Sequence, residues 1–560
     1  GSAFAALAFA ALYLGIAGWT MRYRRESLRV MNEAMLAIGI GFVTLAIPLA
    51  LGVRWTSAAW ALEGAGAFWV GTRQARWMPR LFGILLQVVA ALVYLAGLQS
   101  NVAPLPLANG NFVGAMLIAL AALATAWWLR APLPHSGLTL ARGYARFEGQ
   151  LAKPAFLFGF GYWCLAWIVE AARLVPSPYA GQMPVPVFSA GMQILLAMLA
   201  YLGSAWAAQS IGRRYHWPVA PWPSYATLLA LALAFIGVTG SGRHVLFSPD
   251  WAVWGVAIGL HLWMLYRNDT DPVSPGRHRL LAAIHIGGVW MGVALLADCL
   301  WLGIDRAQLW ATAWAEVTFL IATVAILAAL AWFGGRAMRT HSGSARWPLD
   351  RHGVAYGWYA AIPVAGATFV GALLTALFSS GAADPLPYLP LVNPVDLTLG
   401  LALATLEMWR RTVLASNPVP KGAAKLGGRG ALAALAALAF VMINTVWLRF
   451  THQLLGVPWD ADALLANVVV QTGLAILWTA LALALMVFAH RRVQRTLWLV
   501  GAGLLGLTVA KLLLVDLGAA GGAARIVAFI VVGLLMLVVG YLAPLPPKAR
   551  AAPEGGSVPA

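Results

Sequence analysis

The chain is 560 residues long, 61% hydrophobic and only 10% charged, with a mean hydropathy of +0.79. Soluble domains carry roughly 25% charged residues, so the composition excludes a soluble globular protein. A formal net charge of +18 signals nucleic acid only where basic residues cluster on a soluble surface. Here they mark loops between apolar runs, and no nucleic-acid partner is expected.

Apolar runs long enough to cross about 30 Å of hydrocarbon at about 1.5 Å per residue recur from end to end. In chain order the expected spans are Ala3–Trp19, Met31–Val53, Ser57–Thr72, Leu81–Leu98, Val113–Trp128, Ala155–Leu174, Val187–Gln209, Ala226–Thr239 and Trp251–Tyr266. They continue with Leu280–Ile304, Trp310–Phe333, Tyr356–Phe378, Leu397–Trp409, Ala431–Phe450, Val468–Ala489, Leu497–Leu517 and Ile526–Leu542. Lipid offers the backbone no hydrogen-bond partner, and the alternating pattern of a barrel is missing, so the spans are helices. The fold class is all-α, a polytopic integral membrane bundle of about 17 transmembrane helices. Residues 3–545 form one transmembrane domain, and residues 546–560, rich in Pro, Gly and Ala, form a disordered cytoplasmic tail. Leu397–Trp409 is short for a crossing and is expected to be broken or re-entrant. The chain opens on Gly1-Ser2, the form of an expression scar, so further natural sequence is expected upstream.

The spans can be checked against charge, because short cytoplasmic loops collect Lys and Arg. Alternate loops hold 30 of the 37 basic residues; Arg54, Arg173, Arg243, Arg306, Arg449, Lys511 and Arg525 alone fall toward the other side. This regularity predicts an N-terminus outside and a C-terminus in the cytoplasm. Trp127, Trp128 and Trp409 beside basic loops, and Trp301 and Trp310 about an outer one, suit an interfacial belt.

Ionisable residues inside spans are costly and therefore informative. Glu63, Glu170, Asp298, Glu316, Arg449, His452, Lys511, Asp516 and Arg525 fall in the outer halves of their helices or just beyond, whereas Glu33, Glu407 and His285 lie toward the cytoplasmic ends. Such one-sidedness is what a water-filled cavity open to the extracytoplasmic side would produce. Glu63 sits in Trp60–Gly66, where small residues allow close helix approach. Glu170 and Arg173, three apart, are expected to pair with each other. Lys511 and Asp516, five apart, each need a partner from another span. Asp298 and Glu316 occupy consecutive helices at similar depths and could meet, in which case two carboxylates would share a site and one pKa would rise. In Asn444–His452, followed by Val457–Asp462, Arg449 has the fork geometry to grip phosphate or carboxylate, His452 can move a proton, and Trp447 or Trp459 can stack on a sugar or anchor at the interface. Arg243-His244 with Asp250 makes a second outer patch. The substrate-binding candidates are thus Glu63, Asp298, Glu316, Arg449, His452, Trp459, Lys511, Asp516 and Arg525; no catalytic residue is assigned.

Cys164 and Cys299 lie far apart in apolar segments and read as buried thiols. No P-loop, HExxH, GxSxG or CxxC occurs, so no nucleotide-driven pump, standard hydrolase, metal site or cofactor is expected.

Several stretches together resemble a bacterial membrane-protein family catalogued as domain of unknown function 2339. They are Leu45–Leu51, Arg54–Gly64, Leu391–Asp396, Asn444–Asp462, Gln471–Trp478 and Ala510–Leu517. The resemblance implies a bacterial inner (cytoplasmic) membrane protein whose fuller relatives carry more N-terminal sequence, and it implies no residue roles. The preferred function is binding or transport of an envelope lipid-linked or glycan-like substrate through a cavity open to the periplasm. The expected partners are membrane lipids, a lipid-linked glycan and a periplasmic protein. A membrane-embedded transferase acting on the periplasmic face, with His452 or an outer carboxylate as base and Arg449 or Arg525 holding phosphate, is the alternative. A non-catalytic scaffold for envelope assembly is the third.

Overall fold

The structure is a computed structural model and describes residues 2–23, 29–50, 53–98, 101–133, 139–179, 181–271, 275–339, 346–512 and 530. Within the described residues, each expected span from Ala3–Trp19 to Leu497–Leu517 coincides for most of its length with a helix. Ile526–Leu542, apart from Ile530, and the tail lie outside the described residues. Among those residues, ten helices are long and apolar enough to cross a membrane. The chain divides into two units, Gly1–Cys299 and Leu300–Ala560.

The first unit holds α1 (Ser2–Tyr23), α2 (Arg29–Ala50), α3 (Val53–Arg73), α4 (Trp77–Ala96), α5 (Gly110–Trp128), α6 (Thr139–Gln150) and α7 (Ala152–Ala171), then α8 (Ala190–Arg214), α9 (Thr227–Gly240), α10 (Asp250–Thr270) and most of α11 (Pro275–Arg306). Between α7 and α8 the strands β1 (Leu174–Val175) and β2 (Val185–Pro186) pair antiparallel, and Val102 bridges to Leu174. Helices α1 and α2 pack as a pair, as do α3 and α4; α5 packs on α3 and α7, and α8 on α7, α9 and α10. The α3–α4 contact depends on small residues, as expected. A Cβ at Gly64 would lie 2.6 Å from the Gly83 carbonyl, so only hydrogen lets the two backbones approach this closely. Helix α6 has 12 residues, fewer than a crossing needs. It is a short amphipathic segment pinned by a buried ion pair, Glu148 to Arg80 of α4 at 3.1 Å, and by Tyr144 against Trp77.

The second unit holds α12 (Trp314–Arg339), α13 (Leu349–Phe378), α14 (Pro394–Leu414), α15 (Arg429–Leu455), the short α16 (Ala461–Ala466), α17 (Val468–Arg491) and α18 (Arg495–Lys511). Helices α12 and α13 each contain one π-helical stretch, Leu330–Gly334 and Ala355–Ala360. Helix α12 packs on α13 and α14, α15 on α13 and α14, and α17 joins α15 to α18.

The expected break at Leu397–Trp409 is corrected: α14 is one unbroken helix of 21 residues, about 31 Å long. Its ends were hidden by their polarity. Asn393 caps the first turn by accepting from Val395 N at 2.9 Å, Pro394 supplies a ready helical φ, Asp396 faces the positive helix start, and Arg411 lies in the last turn.

Loops that charge alternation assigns to one side share one end of their unit. At the end poor in basic residues in the first unit, Leu174 N donates to Asn101 O (2.8 Å) and Ala103 N to Leu174 O (2.9 Å). At the corresponding end of the second unit, Ala313 N donates to Ala382 O and Trp459 Nε1 to Phe378 O. At the basic-rich ends, Arg213 meets Asp271 at 2.8 Å in the first unit, and Arg410 meets Leu426 O at 3.2 Å in the second.

Candidate functional site

In the second unit, the basic-poor end gathers the last turn of α13, the loop 379–393, the first turn of α14 and the distal half of α15 around Arg449. This side chain is 0% exposed. Its Nε and Nη2 donate to Asp396 Oδ1 at 3.1 and 2.8 Å, Nη1 donates to Ala376 O, and Nη2 also reaches Thr445 Oγ1. Asp396 Oδ2 accepts from Leu391 N. The arrangement follows the helix dipoles: the cation lies against the carbonyl end of α13, and the carboxylate lies in the first turn of α14. Neighbouring side chains close the remaining carbonyls of that α13 end, with Trp459 Nε1 donating to Phe378 O, Gln453 to Ser380 O and Asn393 to Gly381 O. Gly381 has φ +80, and a Cβ there would stand 2.9 Å from Arg449 Cδ, so glycine serves both the turn and the close contact.

Arg449 therefore presents no open fork to a ligand in this structure; its charge is spent inside the protein. His452 Nδ1, at 2.7 Å from the Val457 carbonyl, must carry the ring proton and donate it, and the ring leans on Trp459 at 5.7 Å. Tyr388 in the loop is buried, and desolvation, reinforced by Asp396, pushes its hydroxyl pKa up to about 12. Glu316 lies in the first turn of α12, and its Oε2 is buried with no hydrogen-bond partner among the described residues. Lys511 finds the expected partner on another helix, donating to Gln471 O of α17 at 3.1 Å. Asp516 and Arg525 lie outside the described residues.

The first unit builds its polar groups separately. Glu170 and Arg173 pair at 3.1 Å as expected, and Glu170 also accepts from Leu107 N and Asn109 Nδ2, tying two loops together. Glu63 is half-buried on α3, next to the Gly64 contact. Both Asp298 oxygens are taken within the first unit, Oδ1 by His244 Nδ1 and Oδ2 by Val245 N, each at 2.8 Å. Beside it, Arg243 holds Asp250 through two bonds of 2.8 and 2.7 Å. Glu170 and Asp298 of the first unit and Arg449 of the second are each held by hydrogen bonds within their own unit.

Sequence reasoning missed several groups. Asp396 appeared only inside a resemblance, yet Asn393-Pro394-Val395-Asp396 is a helix-start signature, and it was the available signal. The Glu148–Arg80 pair and the buried amides Gln209 and Asn268, 2.8 Å apart, were not singled out; a polar residue on an apolar helix face was the only clue.

The family model described as "Predicted membrane protein (DUF2339)" matches residues 1–546. The chain belongs to this family. The DUF2339 match covers the first unit, the second as far as residue 546, and the whole of the candidate site. No curated protein and no solved structure matches the chain.

Proposed function

We propose that this DUF2339 protein is a proton-linked carrier of an envelope amphiphile in a bacterial inner membrane. In this reading it has seventeen crossings, basic-rich loops in the cytoplasm and basic-poor ends toward the periplasm. The observation that carries the reading is the His244–Asp298 dyad. Its carboxylate is 8% exposed and its histidine 25% exposed, so one partner is sheltered and the other meets solvent. Asp298 also holds Val245 N, so a proton gained or lost at the dyad alters how the loop 241–249 is fastened to α11. A titratable fastener between a loop and a spanning helix is what an ion-linked gate requires. The Arg449–Asp396 pair acts as the matching fixed clamp of the second unit. The substrate class, a lipid-linked or glycan-like molecule, is supported by the aromatic and apolar character of the basic-poor ends, where Tyr179, Met183 and Phe188 are exposed and Trp459 is half-buried.

The test is native mass spectrometry of the purified protein, scoring co-purifying lipid at about pH 5 and about pH 8. Occupancy should differ severalfold between the two conditions in the parent and become level in Asp298→Asn and His244→Gln. Equal occupancy at both pH values in the parent sinks the proton-linked reading.

A further inference from the structure

The inward face of α10 carries buried polar groups along one stripe: Asp250, Trp254, His261 and Asn268. Steps of four and seven residues keep them on the same side of a helix. Two of them are orphans. Trp254 is 1% exposed and its Nε1–H has no acceptor, and His261 is 4% exposed and its Nε2 has no partner, among the described residues. A third orphan faces the same core from α8: Gln209 is 0% exposed, its Nε2 donates to Asn268 Oδ1 and to Met264 O, and its Oε1 is unmatched. A buried unmatched polar atom costs about 1–3 kcal/mol. Three such atoms about one core offer one donor and two acceptors to small hydrogen-bonding groups such as water.

The tautomer of His261 follows from its neighbour. With the one Thr227 hydroxyl hydrogen given to Ser224 O at 3.0 Å, the 2.8 Å contact of Thr227 Oγ1 with His261 Nδ1 is made by a ring proton on that nitrogen, the tautomer taken here. Nε2 is then a bare lone pair in an apolar core that includes Leu231, Ala257 and Met264. At the basic-poor end of this core lies the His244–Asp298 dyad. At the basic-rich end lies a second one, His285 Nε2 to Asp269 Oδ2 at 2.8 Å, both side chains at most 2% exposed. Helix α11 contributes one member to each, His285 and Asp298, about 20 Å apart along its axis.

We propose that the inward face of α10 is a proton pathway between these two dyads, with His261 Nε2 as its relay base; the proposal rests on the proton-linked reading above and supplies its route. A proton arriving from the His244–Asp298 end forms a bond to Nε2 and makes the imidazolium. The same N–H bond then breaks toward the Gln209 and Asn268 side, the proton passes to the Asp269–His285 pair, and His261 returns to its neutral Nδ1–H form. Nothing is oxidised or reduced. Steps of about 10 Å along the stripe are bridged by short chains of water, with Trp254 Nε1–H as a donor anchor and Gln209 Oε1 as an acceptor anchor. The other titratable groups packed about this core are Cys164 from α7, Tyr201 from α8 and Cys299 from α11, while Tyr225 ahead of α9 lies in the field of Arg277, Asp271, Arg213 and Asp269 at the basic-rich end. Arg213 is held by Asp271 and by the Arg267 carbonyl, which leaves Asp269–His285 as the receiving group.

The experiment reconstitutes the full chain in liposomes loaded with a pH-sensitive dye and drives protons inward with a potassium diffusion potential. The parent should move protons severalfold faster than protein-free vesicles. His261→Gln should fall to the vesicle background, and Trp254→Phe, which keeps the ring and removes the N–H, should slow markedly, both eluting as the parent does on size exclusion. Parent flux equal to that of empty vesicles, or His261→Gln at the parent rate, overturns the pathway. Should His261→Gln fail to fold, nitrogen NMR of the His244→Gln/His452→Gln protein, which lacks the two other histidines whose Nδ1 bonds an oxygen acceptor, decides: the pathway requires a remaining histidine that begins as the Nδ1–H tautomer and gains a proton at Nε2 on acidification, and a set without such a member overturns it. The two proposals separate cleanly. Lipid retention that ignores pH, alongside His261-dependent flux, sinks the carrier and leaves the pathway; pH-dependent retention lost in Asp298→Asn, without flux, sinks the pathway alone.

Discussion

Arg449 is fully buried, so its replacement tests a clamp. Removing one partner of a buried, hydrogen-bonded ion pair strands the other, at a cost of about 3–5 kcal/mol. Arg449→Ala and Asp396→Ala should each lower the melting temperature in detergent sharply, and Arg449→Lys should recover only part of the loss, because an ammonium cannot reproduce bonds to Asp396, Ala376 and Thr445 at once. The apolar double change Arg449→Met with Asp396→Leu should be milder than either alanine single, and a double variant worse than both would refute the clamp. Tyr388 adds a pH signature beside it. Its hydroxyl is raised from an ordinary value near 10 to about 12 by burial, so the folded state holds the proton more tightly than the unfolded chain. That stability is complete below pH 10 and drains away as pH rises through 12. Thermal melts across this alkaline range should show the decline, and Tyr388→Phe should flatten it. The roles of these residues were half legible beforehand: Arg449 stood out as a cation on the wrong side, but its partner Asp396 is 53 positions away, and no local spacing connects them.

Helices were the most legible part of the chain, because a lipid-facing segment advertises itself by apolar length alone. Where reading failed, polarity at the ends was the reason. In α14 the cap, the first-turn carboxylate and the closing arginines belong to the helix yet lower its apparent hydropathy. Asn393→Ala should remove the cap to Val395 and the bond to Gly381, costing about 0.5–2 kcal/mol; a melt unchanged from the parent would show that Pro394 alone starts the helix. Small-residue packing gives a second expectation at this scale. Gly83 meets the backbone of α3 at Gly64 and Phe68, so Gly83→Val forces α3 and α4 apart and should destabilise the protein by about 1–3 kcal/mol, read by the same melt. Gly66, whose added Cβ meets nothing within 4 Å, is the control and should accept alanine with little change.

For the molecule as a whole, the alternation of basic loops predicts which residues a membrane-impermeant thiol reagent reaches. Single cysteines at Ala108 and Ala382 should label in intact cells, and one at Ser344, which lies outside the described residues, should not. Labelling of Ser344 from outside would invert the orientation on which the proposed periplasmic gate depends. The expectation rests on charge, since one miscounted span would scramble the alternation in every later loop. The buried polar stripe of α10 was not readable in the same way: a histidine on an apolar face looks alike whether it is satisfied or open, and only its neighbours decide. The length of α11 carries a consequence for the surrounding lipid. Its 32 residues reach about 48 Å, against about 30 Å of hydrocarbon, so the helix must lean, project into the headgroups or stretch the bilayer around it. Each of these responses ties the protein to membrane thickness. In nanodiscs of increasing acyl length, the melting temperature should climb toward the longer chains; a flat series would mean that α11 projects freely and leaves thickness unsensed.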